Sequence, residues 1–323
     1  MIDFRYHLVS IVAIFLALAV GIVMGTTLLQ EPAVELAKKT SADLTKANNE
    51  LRADLDALGG REAGNDAFVT AMTPQLVTGS LTGVRLVLVE SPGATSSLRE
   101  QAQQVVTQAG ATVAGRITLT EKYVSPASAG LLDELAIQLK PADLTYPPGA
   151  TSYDKAAMLL GATLMVNDPA QSGTPNPTTA AVLDGFEKAG FLSFEGEPAQ
   201  RSTMALMFAP DKPYEGDKAE LQAASLVALS GGLDARGKGT VLTGTAGAVG
   251  TGGVITELRD TSDLAKRVST VDTLDMPAGR VVNAQALREQ LNGRSGQYGI
   301  GTGASAFQPV VPTPTPTPST SGS

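Results

Sequence analysis

The chain of 323 residues has no cysteine, no tryptophan and one histidine. Without cysteine there are no disulfides, no thiol nucleophile and no thiolate metal site. The one histidine, His7, stands at the edge of an apolar run near the N-terminus, so no Ser-His-Asp set can be assembled in the rest of the chain. A basic run is missing too, and with a net charge of −8 this excludes the electrostatic footprint of a nucleic-acid binder. Complete glycine fingerprints are also lacking. "ESPGATSS" (90–97) has one glycine where a dinucleotide loop needs three, and there is no Walker lysine. "GTAGAVGTGG" (244–253) follows a strand but has the wrong spacing, with another strand expected after it, and "GIGTGAS" (299–305) leads into the tail. The acidic pairs Glu195/Glu197 and Asp272/Asp275 are of a type that binds hard cations or acts as acid and base, but such pairs more often face solvent. No catalytic residue, cofactor or metal site is expected, and the chain reads as a non-enzyme.

What is present begins with "AIFLALAVGIVMG" (13–25). Leu8 to Leu29 form 22 residues without charge or proline, a helix of ~33 Å, about one hydrocarbon core. The A-x-A triplet Ala17-Leu18-Ala19 has the form of a signal-peptide cleavage site. Cleavage there would leave an apolar new N-terminus, and no cysteine follows for lipid attachment. The reading is a retained membrane helix over 8–29 after a short cytoplasmic tail, 1–7. Ala13, Ala17, Gly21 and Gly25 recur every four residues, the close-packing pattern of paired membrane helices, although Ala and Gly are common in such helices in any case.

Beyond Glu31-Pro32 the sequence turns rich in Ala, Leu, Lys, Glu and Asp and has no glycine before Gly59. Val34, Ser41, Asn48 and Leu55 fall on one heptad column, and Ala37, Leu44, Leu51 and Leu58 on the other. The spacing predicts a coiled coil over 31–58, with Asn48 as a register-fixing polar residue of a parallel homodimer. An amphipathic helix packed on its own domain would show a similar pattern.

Residues 80–304 alternate strand and helix signals. Strands are expected at 83–90, 111–120, 191–198, 203–210, 239–244 and 254–260. Helices are expected at 97–109, 155–164, 179–189, 219–229 and 283–293. The order predicts an extracytoplasmic α/β domain with a mostly parallel sheet. The Pro/Thr run within 305–323 cannot build a core and reads as a disordered tail.

"MIDFRYHLVSIVAIFLALAVGIVMG", "VSTVDTLDMPAGRVV" (268–282) and "LNGRSGQYG" (291–299) resemble the actinobacterial envelope family named for the copper transporter MctB, whose corynebacterial member is called SteB. The resemblance spans nearly the whole chain except the tail. It implies a short cytoplasmic tail, one membrane helix, a coiled coil and an extracytoplasmic α/β domain, with no catalytic set to carry over. It also implies two activities that conflict. One is control of cell-wall hydrolysis or division with a SteA-like partner and peptidoglycan hydrolase regulators. The other is copper efflux through a pore in the outer membrane.

Copper(I) prefers thiolate or thioether and copper(II) imidazole. The best thioether pair, Met204 and Met207, is three apart on an expected strand and so points to opposite faces. One helix per chain makes a poor pore, and no series of alternating ~10-residue strands suggests a barrel. These arguments favour a dimeric binding and regulatory module, with copper efflux as the alternative and a nucleotide- or sugar-related enzyme as a second one.

Overall fold

The computed structural model describes residues 4–174 and 176–310, apart from the side chains of 27–33. The chain divides into two compact units, 1–65 and 66–323.

The first unit holds residues 4–65 of a single helix, α1 (Phe4–Val77), which runs through the apolar segment, the heptad region and Gly59, Gly60 and Gly64 without interruption. The coil expected to end at Leu58 therefore belongs to a helix that continues for nineteen further residues. No glycine conformation is strained there, because a helical φ suits glycine as it suits any residue, at a propensity cost of about 1 kcal/mol each. The part that is long and apolar enough to cross a membrane is Phe4–Thr26. From Val69 onward α1 belongs to the second unit's core, where Thr73 and Val77 are buried.

The second unit is an α/β domain. Its elements after α1 are β1 (Arg85–Glu90), α2 (Ser96–Gln108), β2 (Thr112–Leu119), α3 (Glu121–Val124), α4 (Ala129–Gln138), α5 (Ser152–Leu164), α6 (Pro177–Lys188) and β3 (Leu192–Gly196). There follow β4 (Met204–Phe208), α7 (Ala219–Asp234), β5 (Gly239–Thr243), α8 (Val254–Asp260), α9 (Ser262–Ala265), β6 (Ser269–Val271), α10 (Pro277–Leu291) and β7 (Gln297–Tyr298). The strands form one sheet in the order β3-β2-β1-β4-β5-β6-β7. Only β3 runs antiparallel, at the edge beside β2; the other neighbours are parallel.

The central strands β4 and β5 are buried throughout, as their near-continuous apolar sequences require of parallel strands covered on both faces. Alternate residues divide between two cores. Val87, Val89, Met207 and Leu242 face one side, against Leu159 and Leu160 of α5, Leu226 of α7 and Ile255 of α8. Leu86, Leu88, Met204, Leu206 and Val241 face the other, against Val105 and Val106 of α2, Val281 and Leu287 of α10, and the end of α1. Helix α5 starts at a full capping box between Thr151 and Asp154, and Asn176 caps α6 with Pro177 in its first turn.

One expected strand is wrong. Residues 254–260, VITELRD, form α8, and the three residues it buries, Val254, Ile255 and Leu258, follow helical spacing. The short strands β6 and β7 and the helix α4 carry no expectation from the sequence. Residues from 311 onward, which hold the Pro/Thr repeat of the expected tail, lie outside the described residues.

Candidate functional site

The membrane segment and the heptad region supply the first candidate surface. All described side chains of α1 from Phe4 to Asn65 are exposed within the chain, including Leu44, Leu51, Leu55 and Leu58 at over half of their area. Among the described residues, no atom beyond the helix's own nearby backbone lies within 4 Å of where a Cβ would sit on Gly21 or Gly25. Because α1 is continuous, the phase of its two stripes can be compared. At about 100° per residue, Gly25 and Val34 lie about 180° apart, and so do the small-residue stripe (Ala13, Ala17, Gly21, Gly25) and the heptad seam as a whole. The seam residues Val34, Ala37, Ser41, Leu44, Asn48, Leu51, Leu55 and Leu58 share a face, and the membrane stripe occupies the opposite one. The structure brings each set together and separates the sets from each other.

The second candidate is the crevice at the carboxyl ends of the parallel strands. In doubly wound sheets ligands bind where the strand order reverses, here between β1 and β4. The group that a phosphate would take, the N-terminus of α2, already holds a carboxylate. Asp211, just after β4, accepts the backbone N–H of Thr95 at 3.2 Å and also its hydroxyl. Beside it Glu90, at the end of β1 and 7% exposed, lies 3.4 Å from the Arg99 guanidinium and accepts the Thr118 hydroxyl at 3.1 Å. Arg116 stands 3.8 Å from Glu90 and pairs as well with Glu195. Glu195 thus serves an arginine, while Glu197 is exposed and the two carboxylates make no joint site.

The glycine stretches close on the protein itself. The one at 244–253 does precede a helix, α8, contrary to the expectation, but its glycines are there for close packing. A Cβ on Gly252 would overlap the Tyr214 carbonyl and one on Gly253 the Ala248 carbonyl, and the Gly250 N–H donates to the Thr256 hydroxyl at 2.9 Å. The stretch at 299–305 does bind an anion, and that anion is Asp272. The N–H groups of Ile300 and Gly301 donate to its two oxygens at 2.8 and 3.1 Å, and Arg259 reaches it at 2.9 Å. Asp272 is fully buried and Asp275 exposed, so this acidic pair also fails to converge. Sequence reading missed the Arg259–Asp272 pair because its partners lie thirteen residues apart on different elements, with no spacing to mark them.

Met204 and Met207 are both fully buried, one in each core. No group of three His, Asp or Glu side chains able to hold a metal converges among the described residues.

These features define a membrane-associated protein: an apolar N-terminal helix, an exposed heptad seam, and an α/β domain whose strand-end loops are closed by its own carboxylates. A family model described as "Copper transport outer membrane protein, MctB" matches residues 1–309. The chain belongs to the MctB family. It is 28% identical over 308 residues to the copper transporter MctB of Mycobacterium tuberculosis (strain ATCC 25618 / H37Rv), which covers 94% of this chain and 98% of the relative. The copper transporter MctB of Mycobacterium leprae (strain TN) is likewise 28% identical, over 321 residues and 99% of its own length.

Proposed function

We propose that the chain is a single-pass envelope protein, paired through its heptad seam, that serves copper export by binding other proteins rather than by conducting the ion itself. The observation that carries the copper reading is the full-length likeness to relatives named copper transporters. The donor set supports the division of labour. Copper as cargo wants thiolate, thioether or imidazole; the chain has no cysteine and a lone histidine on α1, and of its eight methionines the pair Met204 and Met207 is buried on opposite faces of the sheet. The α/β domain stands outside the cytoplasmic membrane in this reading, and it is not an enzyme. Deletion of the gene is expected to lower copper tolerance, while the purified protein binds no stoichiometric copper. Unchanged copper tolerance would remove the reading.

A second reading has the same architecture regulate cell-wall hydrolysis or division with a SteA-like partner. It is favoured by the exposed seam, a surface for coils rather than for ions. Pull-down of the intact protein from membranes separates the two: division or hydrolase factors support the second, copper-handling proteins the first.

A further inference from the structure

Between the last turns of α1, the turn that follows and the C-terminal half of α10 lies a cavity of about 530 Å³. Its walls carry two arginines whose charge the protein leaves largely unanswered. Arg288 has no carboxylate within ion-pair distance among the described residues. Among the described residues Arg294 has only Glu289, at 3.8 Å, and Glu289 already accepts the Tyr298 hydroxyl. Two buried oxygens in the same walls, Ser80 Oγ and Gln285 Oε1, have no hydrogen-bond partner among the described residues. Such atoms are costly to leave unpaired. Leu76, half exposed, adds an apolar side, with the largely exposed Val310 at its rim.

We propose that this cavity binds a short peptide by its free C-terminal carboxylate. The two guanidiniums take the carboxylate, which arginine's fork of donors suits. Gln285 Oε1 can only accept, so it calls for an N–H on the ligand, and the peptide amide supplies it. Leu76 and Val310 receive a small aliphatic side chain. Inorganic phosphate would satisfy the arginines and could donate a P–O–H to the Gln285 oxygen, but it leaves the apolar side of Leu76 uncovered. The proposal does not depend on the copper reading: it rests on this cavity alone.

The test is calorimetric titration of the full chain in detergent micelles with N-acetyl-alanyl-alanine as the free acid, its C-terminal amide, and inorganic phosphate, each to millimolar concentration. The acid is expected to bind at least tenfold more tightly than either the amide or phosphate. Arg288→Gln and Arg294→Gln are each expected to weaken it about tenfold, and Gln285→Leu several-fold, with circular dichroism unchanged. Arg288→Lys keeps the charge and is expected to retain part of the affinity. Equal binding of acid and amide, no binding of the acid, phosphate binding as tight as the peptide's, or full affinity in both arginine variants would overturn the assignment.

Discussion

Asp272 accepts two backbone N–H groups of the 299–305 segment and pairs with the Arg259 guanidinium. Arg259 in turn donates to Thr270 Oγ1 and to the carbonyls of Tyr298 and Thr302, so one buried ion pair fixes the last described segment to β6 and β7. Removing the arginine leaves a fully buried carboxylate short of its countercharge, which costs ~3–5 kcal/mol. Arg259→Ala is therefore expected to lower the stability of the domain by about that amount in chemical denaturation followed by circular dichroism; a change under 1 kcal/mol would contradict this use of the pair. Tyrosine gives a second prediction. Burial raises the phenols of Tyr123, Tyr153, Tyr214 and Tyr298, and pushes Tyr146, which also feels Asp133, up to about 12. The unfolded chain ionises these groups near pH 10 while the folded one resists, so stability is retained below pH 10 and falls as pH rises beyond it. With no tryptophan in the chain, ultraviolet titration reads the six tyrosines directly, and five of them are expected to stay protonated past pH 10 until the fold is lost. The opposed faces of Met204 and Met207 followed from strand periodicity, whereas the Asp211–Thr95 and Asp272–Arg259 contacts join distant segments and leave no local trace.

Among the elements, those with long periodic or near-continuous apolar patterns were legible: β1, β2, β4 and β5, helices α2, α5, α6 and α7, and the membrane part of α1. Segment 254–260 was not, because seven residues with Val and Ile at the start satisfy a strand pattern as well as a helical one, and burial at Val254, Ile255 and Leu258 decides only in three dimensions. Strands of three and two residues, β6 and β7, are too short to carry any period. The close crossing of α5 and α7 was equally silent. A Cβ on Gly161 would overlap the Gly232 carbonyl, and one on Gly232 the Ala157 carbonyl, so these glycines let two backbones meet. Gly161→Ala and Gly232→Ala are each expected to destabilise the domain by at least ~1–3 kcal/mol through overpacking, read as a lower thermal midpoint. For α1 the prediction concerns pairing. Leu44 lies on the seam and Lys46 away from it, and the chain has no native cysteine to interfere. Oxidation of membranes carrying Leu44→Cys is expected to give disulfide-linked dimers and Lys46→Cys to give few; equal yields would contradict the seam. Since the small-residue stripe faces the other way, it is free for a different helix when the seam is paired.

For the molecule as a whole, two features bear on function. Its likeness to proteins named copper transporters runs through residues 1–309, while the chain has no cysteine and one histidine, and no group of three His, Asp or Glu converges among the described residues. An account in which the chain binds partners from a paired helix accommodates both. The most direct measurement is complementation of a deletion strain for growth on copper, using three forms of the chain: intact, stripped of its imidazole and of its sheet-core thioethers (His7→Asn, Met158→Leu, Met165→Leu, Met204→Leu, Met207→Leu), and broken at the seam (Leu44→Asp with Leu51→Asp). Leucine replaces buried methionine at a cost under ~1.5 kcal/mol, so the stripped form is expected to fold. The account predicts that the intact and stripped forms restore copper tolerance and the seam-broken form does not. Rescue by the seam-broken form together with failure of the stripped form would contradict it and place the metal on the chain itself.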